Sequence, residues 1–235
     1  MKHRSIVPLL ILLGVLTACG QGQSAQSSPA APTSEVPIPA APTQAPTSPP
    51  EGDRAIFNAL LSGDLSAVTN TDVWGSPPLG YEALELEYTT LDLDGDGICE
   101  LLIQGVDDPC NYNGVFHADG TRLVCWQNDM MELSCRDYPL QDGTMVRQYD
   151  TLTGPSRYSQ LYTLFRYQSD GSQETVAQLS VHEDTGADGN TSVTYQVDGT
   201  EVEQADFESE FQALITGRLL ERAAWTPVPA QNQGV

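Results

Sequence analysis

The chain has 235 residues, with ten basic side chains against 32 acidic ones and a formal charge of −22 at pH 7. A surface of that sign repels phosphate backbones and anionic lipid headgroups, which excludes nucleic acid as a partner and leaves membrane contact to an anchor. Beyond the first 52 positions about 175 residues remain, enough for one compact domain with its own core.

The chain opens with MKHRSIVPLLILLGVLTACG, a basic start (Lys2, Arg4) followed by an apolar run from Ile6 to Leu16. That run is shorter than the roughly 18–20 apolar residues of a spanning helix, so residues 1–18 read as a signal peptide. Leu16-Thr17-Ala18-Cys19 resembles, position by position, the cleavage box of bacterial lipoproteins. The resemblance implies cleavage before Cys19, acylation of that cysteine and an extracytoplasmic, lipid-anchored location at the cell membrane. The mature chain then keeps eight arginines, no lysine and all 32 acids. Residues 19–52 comprise the lipidated cysteine and a stretch of Pro, Ala, Ser, Thr and Gln with almost no bulky apolar groups. Such a stretch forms no core and reads as a disordered tether, reaching up to ~100 Å at ~3 Å per residue.

The globular domain is expected over 53–227. Asp53 is placed to cap a short helix whose apolar face is Ile56, Phe57, Leu60 and Leu61, with Gly63 as its stop. From residue 84 the pattern turns to period two and short apolar runs, which predicts antiparallel strands over 84–91, 100–105, 113–118, 121–126, 130–135, 143–149, 157–167, 173–182 and 191–197. Asp119-Gly120, Asp170-Gly171 and Asp198-Gly199 supply turns between them. Phe207, Phe211, Leu214, Ile215, Leu219 and Leu220 then recur at helical spacing, with acids early and Arg218 and Arg222 late, as a helix dipole favours. The expected fold is α+β and mainly β: an antiparallel meander sheet with a short N-terminal helix and a C-terminal helix packed on it. A flexible tail follows over 228–235.

Between the first two strands lies LDLDGDGICE, which concentrates like charge in an already acidic chain. Asp92, Asp94 and Asp96 fall on alternate positions of a turn that Gly95 and Gly97 permit, followed by Ile98 and Glu100. Two carboxylates ~5 Å apart at an effective dielectric of ~20 repel by ~3 kcal/mol, so the side chains either splay into water or gather round a divalent cation. Calcium takes six to eight oxygens, and four carboxylates plus the Ile98 backbone carbonyl suit it. The loop resembles the D-x-D-x-D-G-x-x-D calcium loops of FG-GAP and VCBS-type repeats and of integrin blades. It departs from them in Glu100 at the last position and in occurring once rather than in an array, so the resemblance implies the ligands and not a propeller. Position 12 is Ile103, which separates the loop from an EF-hand. A second acidic stretch, residues 183–192, has glycine between Asp184 and Asp188 and reads as a hairpin loop.

Cys99, Cys110, Cys125 and Cys135 form an even set without CxxC or CxxH spacing, which in an exported domain favours disulfides over zinc. If the first five strands form one up-and-down meander, each strand separates its ends by ~17 Å, while bonded cysteines need Cα atoms within ~7 Å. That geometry leaves Cys99 with Cys135 and Cys110 with Cys125.

His117 and His182 lack a nucleophile elbow or a zinc-protease motif beside them and read as strand packing residues. The order of tether, helix, acidic loop, strands and closing helix is similar to a group of uncharacterised bacterial surface lipoproteins, a similarity that carries no activity with it. The expected function is a membrane-anchored, calcium-stabilised binding or interaction module for an extracellular protein or glycan. The alternative is an extracellular glycan hydrolase working with paired carboxylates, its sugar platform built from Trp74, Trp126 and Trp225 with neighbouring tyrosines.

Overall fold

The computed structural model describes residues 49, 51–70, 85–106, 112–130, 134–154 and 156–229. The signal segment, Cys19, nearly all of the tether, Trp74, Cys110 and the last six residues lie outside the described residues.

Helix α1 (Glu51–Leu61) starts three residues earlier than a cap at Asp53 implies, so Asp53 lies in its first turn beside Glu51 rather than capping it. Both acids there complement the helix dipole. Phe57, Leu60 and Leu61 are its buried face, and the chain leaves the helix through Gly63, whose N–H reaches the Leu60 carbonyl at 2.8 Å.

Among the described residues, eleven strands follow in two antiparallel sheets. The first holds β1 (Leu86–Leu91), β2 (Glu100–Gly105), β3 (Tyr112–Ala118) and β4 (Leu123–Met130) as a meander. The second runs β5 (Cys135–Pro139), β6 (Met145–Gly154), β7 (Arg157–Tyr167), β8 (Gln173–Thr185), β9 (Thr191–Val197) and β10 (Thr200–Val202), again in chain order. Helix α2 (Gln204–Leu214) comes next, and the chain then returns to the first sheet as β11 (Thr226–Pro227) at the outer edge of β1. The fold is α+β and mainly β, with one helix toward each end.

Three apolar clusters set the layering. Leu101, Ile103, Phe116 and Leu123 of the first sheet bury against Phe57, Leu60 and Leu61 of α1. Leu91, Leu93, Leu102 and Val115 meet Met145, Phe165 and Tyr167 of the second sheet. On that sheet's other face, Val146, Tyr162, Leu164 and Leu179 pack on Phe207 and Ile215. The result is helix, sheet, sheet, helix. Strand β2 is buried at all six positions because both its faces are covered, which explains the unbroken apolar run Leu101–Ile103.

The single meander assumed for the cysteines is not the arrangement formed. Cys135 opens β5, whose partner is β6 in the second sheet and not β4. Among the described residues no disulfide is formed, Cys99 to Cys135 included, and Cys110 lies outside them. The Cys125 thiol instead donates to the Gln127 carbonyl at 3.0 Å, and burial pushes its pKa well up.

The final helix is shorter than its apolar spacing suggests. It stops at Leu214, and Thr216–Arg218 form a short 3-10 turn. Thr216 and Gly217 are poor helix formers, and the Arg218 guanidinium donates back to the Leu214 carbonyl at 3.1 Å. Leu219 is released to bridge Leu140 in the turn after β5.

Candidate metal centre

The acidic loop joins β1 to β2. Its apolar residue Leu93 is fully buried between the two sheets, and Cys99 beneath its far end is buried as well. Anchored at both points, the loop coils through its own side chains. Asp92 accepts from the N–H groups of Gly95 at 2.7 Å and Gly97 at 3.0 Å. Asp94 accepts from Asp96 N–H at 3.1 Å and Asp96 from Ile98 N–H at 2.7 Å. Gly95 and Gly97 both have positive φ. These bonds hold the three aspartates on the inside of the turn, where one carboxylate oxygen from each lies within 4.8 Å of the others.

The five residues expected from the sequence divide into two sets. Asp92, Asp94 and Asp96 form the first. Glu100 is turned away from Asp92 and Asp96: one oxygen accepts from Leu93 N–H at 2.7 Å, and the other lies 2.9 Å from His117 Nδ1. Asp94, Glu100 and His117 make a second set with ligand atoms again within 4.8 Å. Ile98 is half-buried and enters through its N–H to Asp96. Asp94 belongs to both sets. Its Oδ2 is the buried side-chain oxygen, among the described residues, that has no hydrogen-bond partner.

His117, which the sequence marks as a strand packing residue, is the member of the second set that the loop motif does not reveal. On β3 it stacks on Trp126, with ring centroids 4.7 Å apart and planes 8° from parallel, and Trp126 stacks in turn on Tyr167 at 5.3 Å. The signal for it was the pairing register. Leu101 faces Phe116 across β2 and β3, so in an antiparallel pair the next residues outward, Glu100 and His117, face each other. An extra residue in β4 opposite the Val115–Phe116 step swings Trp126 into place over the histidine.

The second sheet supplies the site's back wall through two hairpin turns. A methyl group at Gly143, between β5 and β6, would stand 2.0 Å from the Asp92 carbonyl oxygen. One at Gly171, between β7 and β8, would stand 2.5 Å from the Trp126 ring. Both glycines have positive φ, so each turn combines a left-handed conformation with a close approach that only glycine accommodates.

The electrostatics follow from this enclosure. Burial pushes the Glu100 carboxyl up to about 7, against the His117 and Leu93 hydrogen bonds that favour its ionised form. Asp94 is raised too, by burial first and with Asp96 and Asp92 adding repulsion, while the Asp96 N–H opposes. Carboxylates crowded in this way gain most from a cation placed between them.

Elsewhere, His182 is flanked by hydroxyls, Ser159 at 2.9 Å on Nδ1 and Ser180 at 3.0 Å on Nε2. A groove of about 390 Å³ runs between the ends of the two sheets and the C-terminal segment, where Tyr138, Phe211 and Trp225 line it and Arg222 stands at its edge. The carboxylate behind that edge, Glu87, is buried and held by Arg222 and by Gln104 Nε2 at 2.8 Å. No protein-family model, curated protein or solved structure matches the chain.

Proposed function

We propose that the protein is a lipid-anchored, extracytoplasmic binding module whose fold is stabilised by calcium in the loop Asp92–Glu100. The observation that supports this most is the convergence of Asp92, Asp94 and Asp96 on one point, with an unpartnered buried oxygen on the middle residue. A hard, oxygen-seeking ion suits such a set, and extracellular calcium keeps even a site with Kd ~10⁻⁴–10⁻³ M substantially loaded. The groove beside Trp225 offers a concave apolar surface for an extracellular protein or glycan ligand. The hydrolase reading gains no comparable support. Trp126 is committed to His117 and Tyr167, and Glu87, the carboxylate held by the groove residues Gln104 and Arg222, is already paired.

Thermal melts of the chelator-treated protein test the ion. At a hundredfold excess over Kd, calcium should stabilise the fold by about 2.7 kcal/mol. Magnesium should do less because its rigid octahedron retains water. Asp96→Asn should remove most of the calcium increment while retaining the fold. A melting temperature indifferent to calcium in the unaltered protein sinks this reading.

Among the described residues no helix is long and apolar enough to cross a membrane. The anchoring proposed here rests on the LTAC box. Cys19→Ser should shift the protein from the detergent to the aqueous phase in Triton X-114 partitioning and remove the acyl mass from its N-terminal peptide. An unaltered partition and mass would remove the anchor from the proposal.

A further inference from the structure

Calcium does not account for His117. Imidazole is a poor partner for a hard ion that takes oxygen ligands, yet here a ring nitrogen and two carboxylates converge, and the set is built rather than incidental. Glu100 is 0% exposed and is fixed through its second oxygen by the Leu93 N–H. The His117 ring, 17% exposed, is clamped against Trp126, which is itself held between Tyr167 and the Gly171 turn. The third group, Asp94, contributes a carboxylate whose Oδ2 is buried and unpartnered.

From this geometry we infer that Asp94, Glu100 and His117 form a second cation position, selective for a borderline divalent metal such as zinc. The spacing fits. Zinc with ligands at roughly 2.0–2.2 Å in a tetrahedron separates them by about 3.3 Å, so the 2.9 Å gap between His117 Nδ1 and Glu100 Oε1 opens by only about 0.4 Å to admit the ion. Asp94, within 4.8 Å of both, closes the third side by a change of side-chain torsion. The proton that Nδ1 shares with Glu100 is released to solvent as the metal takes its place. Three protein ligands leave a fourth position for water. The position shares Asp94 with the calcium loop but uses neither Asp92 nor Asp96, so the two sites can stand or fall separately.

The test is a titration of the chelator-treated mature chain with cobalt(II), followed by displacement with zinc. One equivalent of cobalt should give the visible bands of a four-coordinate ion without the intense sulfur-to-cobalt charge-transfer band. Zinc should then bleach them. His117→Gln should weaken zinc binding at least about 100-fold, while Asp96→Asn leaves it within about threefold and loses the calcium-dependent melt. In the unaltered protein, long-range ¹H–¹⁵N NMR should show the Nδ1 resonance of His117 moving on zinc addition, a readout that does not depend on any variant folding. Absence of the cobalt bands, a thiolate band in their place, unchanged zinc affinity in His117→Gln, or a response confined to His182 would each overturn the site. If calcium fails to shift the melt while the cobalt bands appear, the loop reading is lost and this one is retained.

Discussion

Replacing Gly143 with alanine is expected to destabilise the protein by about 2–5 kcal/mol and to cut the calcium-dependent stabilisation with it. Two costs combine. Gly143 has φ +80, and a non-glycine residue held in the left-handed region costs roughly 1–2 kcal/mol. The new methyl would also lie 2.0 Å from the Asp92 carbonyl oxygen, 3.0 Å from its carbonyl carbon and 3.4 Å from Leu93 Cα. These are backbone atoms with no rotamer to retreat to, and overpacking of that kind costs about 1–3 kcal/mol. Neither side can yield freely. The turn is tied by Leu140 N–H to the Thr144 carbonyl at 2.7 Å, and by Asp142 to Arg166 and Arg218. The loop is tied by Leu93 in the inter-sheet core. Displacement of Asp92 should therefore appear as a smaller calcium effect and not only as a lower melting point. Gly120→Ala is the control, because its φ is +92 with nothing within 4 Å of the added methyl, so it carries the conformational cost alone. Urea unfolding of both variants, with calcium and with EDTA, reads the difference. Equal losses in the two variants would mean that the second sheet does not buttress the loop.

The dependence of one sheet's loop on the other sheet's turn marks where the sequence stops being sufficient. Alternation and turn dipeptides locate most of the strands because both are local, and strands β2, β7 and β9 have the expected bounds. The strand expected over 130–135 is not formed: Met130 ends β4, residue 134 is a turn and Cys135 begins β5. The three-aspartate spacing is local for the same reason. What fails is long-range. Residues after β4 keep an alternating pattern, and nothing in it signals that Cys135 begins a new sheet instead of adding to the old one. Consecutive strands usually pair, and the cysteine pairing inherited that expectation at the β4–β5 junction, where it does not hold. Glu100 is likewise visible as an acid in the loop, but its partner is set by the β2–β3 register and by an extra residue in β4. Leu219 and Leu220 continue the helical spacing of Phe207 and Phe211. Their departure from the helix depends on Thr216-Gly217, whose weak helix propensity ends it although the apolar stripe continues.

Glu100 should make the metal-free protein less stable as pH rises from about 4.5 to about 7, and Glu100→Gln should abolish that part of the slope. Burial raises the carboxyl from 4.5 to about 7 despite its hydrogen bonds. The folded state thus binds this proton more tightly than the unfolded chain, so the contribution is fully present below the unfolded value and lost as pH rises through the folded one. At 1.36 kcal/mol per unit, the loss is about 3 kcal/mol once the group is ionised in both states. Asp94, also raised by burial, acts in the same direction. Asp119, Asp170 and Asp188 act in the opposite direction at lower pH, held below the usual range by hydrogen bonds from Arg122, Ser172 and Asn190. The difference between variant and parent therefore isolates residue 100 better than either profile. Glutamine can keep both contacts, its oxygen accepting from Leu93 N–H and its amide donating to His117 Nδ1, so the substitution removes charge without leaving a buried group unpaired. In EDTA at pH 8 the variant should be more stable than the parent by up to about 3 kcal/mol. With a divalent cation present the order should narrow or reverse, because the ion binds the ionised carboxylate and offsets the penalty that the bare protein carries. A variant less stable than its parent in EDTA at pH 8 would show that the buried carboxylate is already satisfied by His117, and the electrostatic case for a cation at this position would be gone.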